Sequence, residues 1–321
     1  MTTSGSVDFS LSASEIIEEA YALLRVGADG ESLTSAQTTR GRKYLSMMLK
    51  SWEADGLRLW CKTEGMLFLD ADTAKYDFQT SATSHSCLVS DFVGTQLSAD
   101  ASSGASTITV DSISGISNGD YIGVELEDGS MQWTTVNGAP SGSTITLTAT
   151  LTDDADTDGY VYTYTTKCER PLKLLQARRT SDLLGTPIDL PMRILERPEY
   201  FELTNKSSSS TPLQVYHDPQ LNVGYFYLWP TPSDETEVIR FTFSRRIEDV
   251  DTLANTMDVP QEWLEAIIWN LAARLSFHSS SPPMDERAGL IAVAQDMKDK
   301  LDGWDREYGS VSFSPDYQGF M

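Results

Sequence analysis

A long interval of this 321-residue chain has no positive charge, because there is neither lysine nor arginine between Lys75 and Lys167. The interval is rich in Ser, Thr, Gly and Asp, and residues 81–166 contain eleven Asp and Glu. β-Branched and aromatic residues recur there in short runs bounded by turn residues, whereas most of the flanking sequence has helical periodicity. The composition therefore predicts an acidic all-β segment, residues 81–166, inserted into a helical host; we call this segment the β block.

Basic residues are scarce in the whole chain, where 24 Lys and Arg face 47 Asp and Glu for a formal net charge of −23. Affinity for DNA comes mainly from Lys and Arg side chains that neutralise phosphates, so this charge argues against tight binding of nucleic acid. A negative wall would instead repel the phosphates and let DNA slide past. Plain solubility explains the same charge equally well.

Cysteines and long apolar runs are also few. Cys61, Cys87 and Cys168 are widely spaced, odd in number and without a C-x-x-C pair, which indicates free thiols in a reducing compartment. Residues 1–10 have neither a basic nor an apolar stretch, so we expect no signal peptide. No apolar run approaches the roughly 20 residues that span a bilayer, and we expect no membrane partner.

Recognisable catalytic motifs are missing from the sequence. His85, His217 and His278 are scattered, and there is no H-E-x-x-H zinc motif, no G-x-S-x-G, no phosphate-binding loop and no dinucleotide-binding fingerprint. We therefore expect a protein that is not an enzyme, with no catalytic residue, no cofactor and no metal site.

One acidic segment partly matches a calcium-binding loop. Asp154, Asp156 and Asp158 place oxygens at loop positions 1, 3 and 5, and Gly159 follows at position 6. Position 12, where a bidentate Glu belongs, is Thr165, and the segment leads into a strand and not into a helix. We favour an acidic turn and predict no tight calcium site.

Helix signals dominate both ends of the chain. Ser12 with Glu15 and Thr34 with Gln37 form capping boxes before amphipathic stretches, and Pro260 opens a third helix. The apolar positions of a last helix are Leu290, Ile291, Ala294, Met297, Leu301 and Trp304. The predicted fold class is α+β: an antiparallel helical bundle of N- and C-terminal helix hairpins, with small β-sheet elements and an inserted all-β barrel or sandwich domain.

The changes in composition also predict domain boundaries. Residues 1–80 form the N-terminal hairpin and the first strands of the host, and residues 81–166 are the β block. Residues 167–308 contain further host strands and the C-terminal hairpin. Residues 309–321 form an extended aromatic arm, since they include Pro315 and lack helical periodicity.

Three features leave alternatives open. The pairs at 178–179 and 245–246 are the only adjacent arginines, and they suit phosphate or an acidic partner, or ion pairs with Asp182 and Glu248. The aromatic stretch 225–230 is either a stacking platform or a strand buried on one face. Trp263 and Trp269 belong either to the core or to a subunit interface.

Five segments carry a resemblance to a known family: residues 16–20 (IIEEA), 44–52 (YLSMMLKSW), 224–232 (GYFYLWPTP), 260–272 (PQEWLEAIIWNLA) and 310–316 (SVSFSPD). Together they resemble head-to-tail adaptor proteins of short-tailed double-stranded DNA phages, a head-completion family similar to tubular tail A proteins. Residues 105–147 of the β block are similar to a β-module met in many phage tail proteins.

The resemblance implies a structural virion protein at the interface of head and tail, assembled in the host cytoplasm. Such adaptors form a ring, usually of twelve copies, below the portal, where they extend the DNA channel and carry the tail nozzle. The implied partners are the portal protein, the nozzle or tubular tail protein, other copies of this chain, and double-stranded DNA that passes without specific binding.

The candidate interface residues for oligomer or partner contacts are Trp263, Trp269, Val311, Phe313, Tyr317 and Phe320. The last four lie in the arm, which we expect to order on a neighbouring subunit or the portal, or else to fold back on its own helices. Two other functions compete. A tail-associated binding module would dock a glycan or receptor through an exposed Trp or Tyr, such as Trp133, on one face of the β block. A hydrolase would have a deep pocket with a carboxylate pair.

Overall fold

The computed structural model describes residues 5–26, 32–55, 59–278 and 283–305. Within these ranges the chain forms fifteen β-strands in four sheets and five α-helices. The chain divides into two compact units. The helical unit comprises the described residues of 1–61 and 246–321, and the β unit comprises residues 62–245.

The helices are α1 (Ala13–Leu23), α2 (Ser35–Asp55), α3 (Arg197–Glu202), α4 (Leu264–Leu275) and α5 (Met284–Trp304). The capping box of α1 is confirmed, because the backbone N–H of Glu15 donates to the Ser12 hydroxyl and the Ser12 N–H donates to the Glu15 carboxylate. Thr34 and Gln37 make the same reciprocal bonds before α2. None of the helices in the described ranges is long and apolar enough to cross a bilayer.

The core of the helical unit centres on α4, which packs against α1, α2 and α5. Its fully buried side chains include Ile267 and Leu271 of α4 and Ile17 of α1. Helices α1 and α2 approach closely at Gly41, where an added Cβ would lie 2.5 Å from the Ile17 side chain. This position therefore has no room for a larger residue.

The β unit contains all the strands and helix α3. The strands are β1 (Lys62–Phe68), β2 (Lys75–Phe78), β3 (Ser86–Leu88), β4 (Val93–Gln96), β5 (Thr107–Thr109), β6 (Tyr121–Glu125), β7 (Met131–Thr135), β8 (Thr144–Thr146), β9 (Tyr160–Tyr164), β10 (Lys173–Ser181), β11 (Ile188–Pro191), β12 (Arg193–Leu195), β13 (Gln214–Pro219), β14 (Gly224–Trp229) and β15 (Val238–Ser244).

Two sheets make up the host part of this unit. One has the strand order β11-β10-β15-β1-β3 and the other β12-β13-β14-β2. Phe241 of β15 meets Phe226 of β14 and Phe78 of β2 in edge-to-face contacts, so the two sheets share one apolar core. Alternation along the strands supplies the inward-facing side chains of this core.

Most of the β block forms a third sheet with the order β4-β9-β6-β7 and a two-stranded pair β5-β8. The turn between β6 and β7 is the hairpin that Asp128-Gly129 predicts, with Gly129 at φ +81°. Ile122, Val124 and Val161 are fully buried in the core of the block. Strand β3 lies within residues 81–166 but pairs with β1 of the host sheet.

The predicted fold class, a helical bundle of N- and C-terminal hairpins with small β-sheet elements, is wrong. Strands in four sheets dominate the described residues, and the helices do not form two self-contained hairpins, since α4 contacts all three partners. The prediction fails because strands that are distant in sequence pair with one another. Strand β1 pairs along its whole length with β15, which lies beyond the β block in sequence. Local periodicity predicts a strand but does not specify which distant strand it joins.

Candidate assembly surfaces

The two tryptophans predicted at an interface occupy different environments. Trp263 is 1% exposed in the helical core, with its ring centroid 5.8 Å from that of Trp52 and 6.4 Å from that of Trp60. Trp269 is only partly buried against the same core. Trp263 is therefore a core residue of its own subunit, and Trp269 lies nearer the surface. Val311, Phe313, Tyr317 and Phe320 lie outside the described residues.

A groove of about 340 Å³ runs between α4 and α5. Its floor includes Ala273 and Ala294, which are buried, and its walls include Phe277 and Ile291. Small residues at the helix contact leave this depression open, while Phe277 just beyond α4 remains 67% exposed. The groove therefore presents apolar surface to a partner.

Hydrogen bonds and charges fix the sides of this groove. The Asn270 side-chain amide donates to the carbonyls of Ala266 and Ala294, both at 2.8 Å, and so ties α4 to α5. Lys298 lies 3.2 Å from the Asp302 carboxylate, and its ammonium is 5.8 Å from the centre of the Trp52 ring. The groove therefore lies between two helices that the Asn270 side chain links by hydrogen bonds, and its rim is polar.

Further apolar side chains of α5 face outwards on both sides of its buried stripe. Met284 and Ile291 are seven residues apart and share one side, whereas Val293 and Trp304 share the other. Trp304 is 61% exposed. The helical unit therefore exposes several large apolar groups beyond those that its own core uses, the pattern that marks a protein contact surface.

The aromatic stretch of β14 alternates between two faces of its sheet. Phe226 and Leu228 are buried in the core between the host sheets, and Tyr225, Tyr227 and Trp229 are partly exposed on the other face. The interpretation as a strand buried on one face is confirmed. Helix α3 covers part of the outer face through Tyr200, which stacks on Tyr216 of β13 with ring centroids 5.3 Å apart.

The first arginine pair is engaged in ion pairs within the β unit. Arg178 lies 3.0 Å from Glu64 and 2.9 Å from Asp189, and Arg179 lies 3.3 Å from Glu237. Adjacent residues of a strand point to opposite faces, so the two arginines have different partners. Asp182, the partner expected from sequence, instead accepts a hydrogen bond from the Tyr160 hydroxyl.

An aromatic seam joins the β block to the five-stranded host sheet. Its rings are Phe68, His85, Phe92, Tyr121, Trp133, Tyr162 and Tyr164. His85 stacks on Trp133 with a centroid distance of 4.1 Å and an interplanar angle of 7°, and its Nδ1 is 2.7 Å from the Tyr164 hydroxyl. Burial, together with the positive charge of Lys167, lowers the pKa of His85 to about 3.

The seam bears on the glycan-binding alternative. That function predicts an exposed Trp or Tyr such as Trp133 on one face of the β block, and the indole of Trp133 packs against His85 and Phe68 within the seam. Trp133 therefore contributes to the packing of the seam, and the glycan-binding alternative stays untested.

Asp70 lies near a second carboxylate, Glu235, and has a raised pKa. Burial, with the nearby charge of Glu235, raises the pKa of Asp70 to about 6. However, one Glu235 oxygen accepts the Ala71 N–H at 3.1 Å and the other accepts the Met131 N–H at 2.6 Å. Glu235 therefore links a host loop to the β block, and a structural role accounts for the Asp70–Glu235 pair. The three cysteines are buried and free of disulfides, as predicted.

The calcium-like segment forms a turn before β9. The Asp154 carboxylate accepts the Ser103 N–H at 2.7 Å, and Asp158 has φ +66°. Within the described ranges no group of three or more His, Cys, Asp or Glu is placed to hold a metal ion. The absence of tight calcium binding stays a prediction that titration tests.

No protein-family model matches the chain, and no curated protein matches it. The resemblance to head-to-tail adaptors therefore stands as a prediction from the five segments named above. Phe277 could not be predicted from sequence, because it follows the last turn of α4 and belongs to no periodic pattern. Periodicity predicts Ile291 as an apolar helix position, but no sequence pattern indicates that it borders a groove.

Proposed function

We propose that this chain is a structural virion protein, a head-to-tail adaptor that assembles as a ring between the portal and the tail nozzle of a short-tailed phage. In the family that the sequence resembles, the ring usually has twelve copies. The single observation that carries the proposal is the exposed apolar surface of the helical unit, with Phe277 and Ile291 at the α4–α5 groove and Trp304 on the other side of α5.

The energetic argument concerns apolar area. Covering a largely exposed phenylalanine such as Phe277 contributes about 2 kcal/mol, and several neighbouring apolar groups add to it. A ring brings the same surfaces together once per subunit, so a modest contact is repeated around the circle. Exposed apolar groups that are costly in a lone subunit are therefore useful in an assembly.

The charge of the chain suits the passage of DNA. A net charge of −23 per copy gives a ring a strongly negative field. Such a field repels phosphates, so that DNA passes without being held. The proposed partners are accordingly the portal, the nozzle protein and further copies of this chain, with DNA as a transient and unspecific neighbour.

Electron cryo-microscopy of the protein mixed with its portal tests the proposal. We expect annular density coaxial with the portal and attached to one of its ends. Density at separate peripheral positions, or no density beyond the portal, would contradict an adaptor and would favour a tail-associated binding module.

A further inference from the structure

Helix α2 has an outer stripe whose composition differs from the rest of the protein. Its exposed side chains from Ala36 onward are Ala36, Thr39, Arg40, Lys43, Met47, Ser51 and Ala54. Because they follow one another at spacings of one to four residues and fall within about a third of the helix circumference, they form a single face. This outer stripe combines two cations, a methionine and small residues, and it contains no carboxylate.

The surrounding sequence has the same bias. No Asp or Glu occurs between Ser32 and Trp52, although the chain has 47 of them. Lys50, at the border of the stripe, pairs with Glu53 and Asp249 at 3.2 and 3.0 Å. Arg40 and Lys43, in contrast, have no carboxylate within ion-pair distance among the described residues, and they border an open concavity of about 690 Å³.

The complementary surface lies at one end of the β block, where three loops meet. The Ala101 and Ala155 backbones exchange two 2.8 Å hydrogen bonds, and the Glu127 N–H donates to the Asp154 carbonyl at 2.8 Å. The exposed carboxylates of these loops are Asp100, Glu127, Asp128, Asp153, Asp154, Asp156 and Asp158. We call this set the acidic end. The β block has no basic residue to neutralise it.

Association of identical acidic chains sets an electrostatic condition. Two copies that each have a charge of −23 repel one another, and a contact that places groups of opposite sign face to face reduces this repulsion. Arg and Met are enriched at protein interfaces, and the small residues of the stripe permit close approach. Two cations and a central methionine suit a protein partner better than a phosphate backbone, which is bound through many cations.

We propose that the acidic end of the β block of one copy docks on the outer stripe of α2 of the next copy. The contact joins two different surfaces, which is the arrangement that a closed ring requires. This inference rests on the proposed ring and names the charged part of its subunit contact.

Reciprocal charge changes in the full chain test the contact. The stripe variant is Arg40→Glu with Lys43→Glu. The loop variant, Asp153→Lys with Asp156→Lys, lowers the charge of the seven-carboxylate acidic end from −7 to −3. Self-association is measured by sedimentation equilibrium at low ionic strength. We expect each variant alone to associate about tenfold more weakly than the unchanged chain. An equimolar mixture restores part of the association. In contacts between the two variants, the two glutamates of the changed stripe meet the two lysines of the changed loops, and the unchanged stripe meets unchanged loops.

A charge-matched control separates the contact from the overall charge. Arg25→Glu with Lys300→Glu changes the net charge as much as the stripe variant does, at side chains that are 70% and 74% exposed elsewhere on the helical unit. We expect this control to weaken association much less. Equal weakening by the control, failure of the mixture to restore association, or an unchanged chain that stays monomeric would overturn the inference. Circular dichroism confirms that each variant is folded.

A separate titration tests whether the outer stripe binds DNA and not the acidic end of another copy. Labelled duplex DNA is titrated with the unchanged chain and the stripe variant. DNA binding that the stripe variant loses while self-association stays the same would make the stripe a phosphate surface and overturn the inference. A ring that still forms on the portal from the stripe variant would overturn the inference and leave the proposed function intact, whereas the absence of any ring from the unchanged chain contradicts the function itself.

Discussion

The aromatic seam of the β unit and the surface of the helical unit use their aromatic residues in opposite ways. In the seam the rings turn inwards, since Phe68, Tyr162 and Tyr164 are buried between the β block and the host sheet. The helical unit keeps Trp263 inside but leaves Phe277 and Trp304 exposed. The seam thus uses its aromatic rings for the stability of the β unit, whereas the helical unit keeps part of its own aromatic surface available for other molecules.

Within the helical unit, α2 and α5, each of 21 residues, differ in how their exposed charges are paired. On α5, Lys300 pairs with Asp296 and Lys298 with Asp302 at the i, i+4 spacing typical of solvent-facing helices. The outer stripe of α2 has no such pairs. In a chain this acidic, a helix face without carboxylates is the face on which another acidic molecule meets the least electrostatic repulsion.

The largest expected effect is in the β unit. Phe68 is 3% exposed and lies against four aromatic rings of the seam, so Phe68→Ala leaves a cavity there. We expect a loss of about 3–5 kcal/mol in the free energy of unfolding, measured by denaturant titration. Leu221→Ala is the matched control, because Leu221 is 86% exposed at a hairpin turn in the same unit. A loss below about 1 kcal/mol for Phe68→Ala would show that the seam is not a core.

Acid is the next largest perturbation of the seam. The pKa of His85 is lowered to about 3 in the folded chain, so the folded state resists its protonation. Its contribution to stability is therefore complete above its usual pKa of 6.5 and is lost as the pH falls towards 3. Between pH 7 and 4.5 we expect the unchanged chain to lose on the order of 2 kcal/mol relative to His85→Phe, which cannot titrate.

Asp70 provides a control of opposite sign for the acid experiment. Its pKa is raised to about 6, so its protonated form is favoured by folding, and its contribution is present below pH 4 and lost as the pH rises through 6. Asp70→Asn should therefore gain stability relative to the unchanged chain on the alkaline side of this window. Identical pH profiles for both variants and the unchanged chain would refute the assigned burial of these groups.

In the helical unit, loss of an exposed aromatic should affect assembly and not stability. Phe277→Ser removes a side chain that is largely exposed and contributes little to the core of the helical unit. We therefore expect the free energy of unfolding to stay within about 0.5 kcal/mol of that of the unchanged chain. Fewer copies should then remain attached to the portal after gel filtration. Full occupancy by this variant would show that the groove is not part of the contact.

The smallest effect is expected on the solvent-facing side of α5. Lys300→Ala breaks an exposed i, i+4 pair with Asp296, worth about 0.3–0.5 kcal/mol. Assembly should be unchanged, and added salt should abolish the small difference in stability. A large loss of assembly here would remove the distinction between the two helices.

Local features of the fold could be predicted from sequence, but its long-range organisation could not. The Ser12 and Thr34 caps and the hairpin at Gly129 depend on residues a few positions apart, and these predictions are confirmed. Strand β10 was missed because a register shift between Leu174 and Gln176 interrupts its alternation. Strand β11 has only four residues and ends in Pro191, so the alternation of Ile188 and Leu190 is too short to identify a strand.

The candidate site was predictable only in part. The apolar positions of α5 were found from periodicity, yet Leu290 is buried while Ile291 and Trp304 are exposed. A broad apolar stripe covers both the core contact and its flanks, and periodicity does not separate them. Trp263 was similarly recognised as an apolar helix residue, but only packing distinguishes a core tryptophan from an interface tryptophan.

The central claim is that the exposed surfaces of this chain serve a ring at the portal. Native mass spectrometry of the portal mixed with excess protein measures it most directly, because mass gives the number of copies bound. The account predicts a single saturated complex with a full ring of copies, twelve if the chain follows the family that its sequence resembles. One or two copies per portal, or a portal that binds none, would contradict it.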